Sequence, residues 1–86
     1  MVEIVYTLHA EIRIKERGIL KDQIEAIILS NRNSANDGDN TIQSIIFKNS
    51  KKYVCRIFYV KQGNLFKVLT AYISSDLKRY GEINDR

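Results

Sequence analysis

TLHAEIRIKERG, residues Thr7–Gly18, is the stretch on which the reading of this chain turns. It opens on a threonine, whose hydroxyl can accept from the first free amides of a helix. It closes on a glycine, which tolerates the left-handed conformation that follows a last turn. The spacing predicts a helix from Leu8 to Arg17. His9, Arg13 and Arg17 recur at four-residue steps, so they share one helical face. Leu8 and Ile12 flank that stripe on one side, Ala10 and Ile14 on the other. An ordinary surface helix sets its cations opposite a single apolar face. A basic stripe between two apolar edges suits a cleft wall or a helix half-buried against a sheet. One imidazole beside two permanent cations makes a poor core and a good phosphate holder.

Outward from this helix the pattern alternates between strand and helix signals. Glu3–Tyr6 (EIVY) is a short β-prone run and predicts a first strand. After Gly18, residues Lys21–Ser30 place Leu20, Ile24, Ile27 and Ile28 on one face, with Asp22, Gln23 and Glu25 turned away. That is an amphipathic second helix, and its short link to the first makes the two close neighbours. Asn31–Thr41 (NRNSANDGDNT) is polar and reads as a long solvated loop. Three runs rich in β-branched and aromatic residues follow: Ile42–Lys48, Tyr53–Val60 and Leu65–Ile73. NSKK and KQGN separate them, short polar links that suit hairpins. The fold class is therefore α+β: a strand, two helices, then a three-stranded antiparallel meander, with the helices on one face of a curved sheet. Residues 1–86 make a single domain, and 74–86 form a partly ordered tail that Ser74 or Ser75 can start as a helical turn.

Composition narrows the chemistry. Eighty-six residues, 44% of them hydrophobic, support one compact core. The formal charge of +4 points toward an anionic partner such as nucleic acid. Cys55 is the only cysteine, so neither an intramolecular disulfide nor a thiolate zinc cluster can form. With one histidine and no HxxxH or ExxH spacing, the sequence predicts no metal site and no cofactor. No serine sits in a Gly-x-Ser-x-Gly elbow, and no glycine-rich loop is present to cradle a nucleotide. No apolar run reaches the roughly 18–20 residues of a membrane span. The expectation is a soluble, cytoplasmic protein.

Charge is segregated along the chain. Between Asp39 and Asp76 there is no acidic residue, while Lys48, Lys51, Lys52, Arg56, Lys61 and Lys67 all fall in that interval. Lysines at hairpin tips guard strand edges against unwanted pairing, which accounts for Lys51, Lys52 and Lys61. Arg56 and Lys67 interrupt apolar strands. Together with Tyr53, Tyr59, Phe66 and Tyr72 they offer the mixture of cations and rings that single-stranded RNA binders use for phosphates and bases.

The motif YTLHAEIRIKERGI, followed by an amphipathic helix and by VLTAY in a late strand, resembles a family of small microbial domains. Their signature begins Y-S/T-x-H-A-x-x-R-x-x-x-R-G-I. They are grouped with the RelE/ParE-like toxin superfamily, with BrnT-type ribonuclease toxins as relatives. The resemblance rests on His9-Ala10, Arg13 and Arg17-Gly18-Ile19, with Thr70 and Tyr72 matching the late T-x-Y. It covers residues 4–30 closely and 53–73 loosely. Leu20 departs from the pattern, standing where the family has a serine or threonine that caps the second helix. The resemblance implies a twisted antiparallel sheet carrying a helical pair, and either metal-independent RNA cleavage by the toxin of a toxin–antitoxin pair or toxin ancestry with a different present use. RNA and an antitoxin protein are then the expected partners.

On that expectation RNA supplies its own nucleophile, the 2′-hydroxyl. His9 is the natural proton-transfer group at neutral pH. Arg13 and Arg17 hold the scissile phosphate and offset charge building on its oxygens. Arg56 and Lys67 extend the cation cluster, and Thr70 and Tyr72 position the strand. Two other functions fit the same sequence: a non-enzymatic inhibitor or binding module acting on a protein target, and a nucleic-acid-binding regulator.

Overall fold

The structure, a computed structural model, describes residues 1–75. Its elements run β1 (Glu3–Tyr6), α1 (Leu8–Glu16), α2 (Lys21–Asn31), β2 (Gly38–Lys48), β3 (Lys51–Gln62) and β4 (Leu65–Ser74). The strands form one sheet in the order β1-β4-β3-β2. β2, β3 and β4 make an antiparallel meander, and β1 lies parallel to β4. The α+β class, the element order and the helical pair are those the sequence predicts. The sheet is mixed rather than antiparallel throughout, because the chain crosses over through both helices and the first two strands of the meander before β4 returns beside β1 in the same direction. Of the tail assigned to 74–86, Ser74 closes β4, and residues 76–86 lie outside the described residues.

Two tight turns build the meander. Asn49 and Ser50 join β2 to β3 with φ of 54° and 66°. Two successive positive φ values match the right-handed twist of the strands they connect. Gly63 and Asn64 join β3 to β4, with Gly63 at φ 60°. Because these turns set the register, pairing runs on into residues whose own strand preference is low. Gly38–Thr41 pair with Phe58–Lys61, so β2 starts four residues before the predicted Ile42. At the other end of the same segment Asn31 closes α2, its Nδ2 donating to the Ile27 carbonyl at 2.9 Å. The long loop expected over Asn31–Thr41 thus shrinks to residues 32–37. Asp37 ties that short connection to the β3–β4 turn, accepting from the Gly63 amide and from Lys61 Nζ, each at 3.2 Å.

Both helices lie on one face of the sheet. Ala10 and Ile14 from α1, Ile19 from the link, and Ile24, Ile27 and Ile28 from α2 are buried against Ile46, Cys55, Ile57, Tyr59, Phe66, Val68 and Ala71. Burial pushes the Cys55 thiol up to about 11. Along β3 Cys55, Ile57 and Tyr59 alternate toward the helices, while Val54, also buried, lies outside that cluster. On β4 the alternation breaks: Val68 and Ala71 both face the core although they are three positions apart, with two residues between them. The break is a bulge, since Phe58 pairs with Thr70 while the next residue, Tyr59, pairs with Val68. The extra residue resets which side chains reach each face beyond it.

The α1 terminus follows its sequence closely. Thr7 Oγ1 accepts from the Ala10 amide at 3.0 Å. At the other end Ile19 N donates to the Ile14 carbonyl at 2.9 Å and Gly18 N to the Lys15 carbonyl at 3.2 Å, with Gly18 at φ 67°. That pair of bonds, with Ile14 and Ile19 both buried, closes the helix in a Schellman motif. α2 begins less well. Leu20 occupies its N-cap without a side-chain acceptor, and only Gln23 Oε1 reaches back, to the Leu20 amide at 3.3 Å.

Candidate nucleic-acid interface

β1 stops at Tyr6, opposite Val68, because the chain turns there into α1. The rest of β4 therefore has an edge with no strand beside it among the described residues. Side chains of α1 and its cap take the place of that strand. Thr7 N donates to the Val68 carbonyl at 3.1 Å, and Thr7 Oγ1 donates to the Leu69 carbonyl at 3.2 Å. Arg17 Nη1 donates to the Ala71 carbonyl at 2.7 Å. The helix cap and the last residue of the stripe are thus anchored on the carbonyls either side of Thr70. His9 and Arg13 lie between those anchors on the same helical face.

The stripe does not sit between two buried edges. Ala10 and Ile14 are in the core, but Leu8 is 77% and Ile12 47% exposed. The helix rolls so that one apolar edge packs down and the stripe forms the border with solvent. Arg13 pairs with Glu16 at 3.0 Å on the surface, a bond of small worth that a stronger anion would displace. Arg17 spends one donor on Ala71 and keeps the others of its fork. His9 is exposed and has no hydrogen bond or ion pair to another described residue.

On the sheet face away from the helices, β3 and β4 place Arg56, Phe58, Thr70 and Tyr72 together. Arg56 pairs in register with Tyr72, and Phe58 with Thr70. Arg56 Nη1 donates to the Tyr72 hydroxyl at 3.5 Å, and its Cζ stands 5.7 Å from the centre of the Phe58 ring. The Phe58 and Tyr72 rings lie 6.1 Å apart. Arg56 Nε is buried and has no hydrogen-bond partner among the described residues. Lys67 is exposed one row further along, paired with Val60 on β3 and Val5 on β1.

Of the rings expected beside Arg56, only Tyr72 is there. Tyr59 and Phe66 are core residues and Tyr53 packs against the core, because the period-two alternation of β3 and β4 turns them toward the helices. The ring that Arg56 does meet is Phe58. Its signal was present in the sequence, since it lies two residues from Arg56 on the same strand. Thr7, the anchor of the stripe, was legible only as a cap.

Of the seven residues singled out from the sequence, Arg17 bonds to the open edge of β4, Thr70 and Tyr72 project from that strand, Arg56 joins through Tyr72, and Lys67 borders the group. His9 and Arg13 share the helical face of Arg17 without a bond to the sheet. Among the described residues no group of three His, Cys, Asp or Glu side chains is placed to hold a metal ion, and no helix is long and apolar enough to cross a membrane. No family model matches the chain, and no curated protein or solved structure matches it either.

Proposed function

We propose that this protein is a metal-independent ribonuclease of the RelE/ParE-like toxin type, cytoplasmic and held in check by an antitoxin partner. The observation that carries the reading is the bond of Arg17 to the Ala71 carbonyl on the open edge of β4, at the end of the helical face that also carries His9 and Arg13. A phosphodiester lying along that edge would meet Arg13 and the free donors of Arg17. Its neighbouring nucleotides would cross toward Tyr72, Phe58, Arg56 and Lys67, where rings can stack on bases and cations can meet phosphates. His9, unattached and solvent-facing, is free to take the proton of the 2′-hydroxyl or to give one to the leaving oxygen. Charge building on the non-bridging oxygens would fall to the arginines.

The test is cleavage of a structured RNA in EDTA. The proposal expects cleavage to survive chelation, and His9→Ala and Arg13→Ala each to slow it by about a hundredfold or more. Intact RNA under all conditions, or a His9→Ala variant as fast as the parent, removes the proposal. A second reading draws on the exposed apolar edge formed by Leu8 and Ile12. Such an edge beside cations fits a module that docks on a protein target. Growth arrest with intact RNA and a stable protein complex lost in Leu8→Ser/Ile12→Ser would favour it.

A further inference from the structure

We infer that the connection between α2 and β2 is a binding site for a single nucleotide, with its base in a neutral cavity against Tyr59 and its phosphate on Arg32. Asn31, Ser34, Ala35, Asn40 and Ile42 line an open cavity of about 200 Å³, and Tyr59 lines it with them. No charged side chain does so. Tyr59 is 2% exposed, and its hydroxyl has no hydrogen-bond partner among the described residues. A buried phenol ordinarily has one, so whatever enters the cavity is what can satisfy it. The other polar groups are set to accept. Asn31 Nδ2 donates to the Ile27 carbonyl at 2.9 Å, and Asn40 Nδ2 to the Asn36 and Gly38 carbonyls at 2.8 and 3.0 Å. Ser34 Oγ donates to the Asn31 carbonyl at 3.0 Å. Both amide oxygens and the serine lone pairs are left as acceptors. The cavity therefore suits an uncharged edge that offers N–H donors and one acceptor for the phenol. The Watson–Crick edge of guanine has that complement, and Ala35 and Ile42 supply apolar contact for its ring.

A second cavity, of about 220 Å³, adjoins the first across Ala35, which lines both. Its chemistry is different. Arg32 and Lys61 stand in it together with Asn33 and Asn64. Lys61 is already answered by Asp37 at 3.2 Å, and Asp37 also accepts from the Gly63 amide. Arg32 has no ion pair among the described residues. Its Nη1 donates to the Leu29 carbonyl at 3.0 Å, which holds the guanidinium while the rest of its fork stays open to an anion. A neutral polar cavity beside a cationic one, with one residue between them, matches the base and the phosphate of one nucleotide. Each cavity is smaller than an ordinary small-ligand site, and the two together reach that size. A free nucleotide and one nucleotide of an RNA strand present the same chemistry here. The site shares no residue with the α1 edge, and the inference does not rest on the ribonuclease reading.

The test is an NMR titration of the full chain with guanosine monophosphate, with guanosine, adenosine monophosphate and inorganic phosphate as parallel arms. The expected result is saturable shifts of the amides of 31–41 and of Tyr59 at sub-millimolar guanosine monophosphate. Guanosine and phosphate alone should each bind about tenfold more weakly, and adenosine monophosphate should bind more weakly as well. Tyr59→Phe keeps the ring and should weaken guanosine monophosphate about tenfold. Arg32→Gln, at an exposed position, should weaken it by a similar factor and leave guanosine unchanged. A single-stranded RNA with one guanosine that binds more tightly than the mononucleotide would identify a strand as the source, and weaker binding would identify the free nucleotide. The absence of a saturable shift at millimolar guanosine monophosphate overturns the inference. So do shifts centred on α1, or a Tyr59→Phe variant that binds as the parent does. The readout is binding at 31–41 rather than cleavage, so its failure and that of the ribonuclease proposal are separate results.

Discussion

The two edges of the sheet are finished in different ways. On the α1 side the exposed carbonyls of β4 are met by Thr7 and by Arg17, so a helix and its cap complete what β1 leaves short. On the β2 side eleven residues of edge have no such cover among the described residues. The difference teaches that the conserving of backbone hydrogen bonds is local work, done by whichever side chains the connection supplies. β1 leads directly into α1, which carries a hydroxyl and a guanidinium to the right place. β2 is reached through residues 32–37, whose one aspartate is taken up by the β3–β4 turn.

The sharpest way to break the comparison is to strip the covered edge. Thr7→Val combined with Arg17→Met keeps bulk but removes the cap and both side-chain bonds to β4. Denaturant titration should show a loss of about 2–4 kcal/mol, adding a cap to a charged hydrogen bond. Arg17→Lys retains the charge yet loses the fork, so a stability loss smaller than that of Arg17→Met alone would separate charge from geometry. Gly18→Ala comes next. At φ 67° an alanine is strained, and the same titration should register about 1–2 kcal/mol of destabilisation.

On the other edge the expected change is a gain. Ser50 adopts φ 66° in the turn that ends β2, and Ser50→Gly should stabilise the hairpin by about 1 kcal/mol, read from the same transition midpoint. A gain of similar size is expected at the start of α2, where Leu20→Ser supplies the missing acceptor; about 0.5–1 kcal/mol would appear in a thermal melt. A pH-dependent effect concerns the core beneath both edges. Burial raises the Cys55 thiol from 9.0 to about 11, and raises the Tyr59 phenol as well. A folded pKa above the unfolded one means stability that is whole below pH 9 and erodes as pH climbs toward 11. Melting temperature followed across that interval should fall, and Cys55→Ala should lessen the slope. A flat profile would show that neither group is desolvated in the folded chain.

The covered edge was the more legible of the two. Thr7 and Gly18 announced the ends of α1, and the four-residue spacing announced the stripe. The roll of the helix was not announced, because Leu8–Ile12 and Ala10–Ile14 are equally apolar and only packing against β4 decides between them. The pairing of Gly38–Thr41 was hidden for a related reason. Those residues have little strand preference, and β3 holds them in the ladder through the register of the Asn49–Ser50 turn.

By itself the sequence determined the order of elements, the caps, the hairpin positions and the identity of the basic and aromatic residues. Those depend on local chemistry: a hydroxyl at a helix start, a glycine at its end, a period of 3.6 or 2. The tertiary structure decided which of them meet. Lys67 and Thr70 would face opposite sides of a regular strand, and the bulge between Val68 and Ala71 brings them to one face with Tyr72 and Arg56. β1 ends one residue before α1 begins, and so leaves open the carbonyls that Thr7 and Arg17 reach. Register and strand length are properties of pairs of segments, which no single stretch of the chain encodes alone.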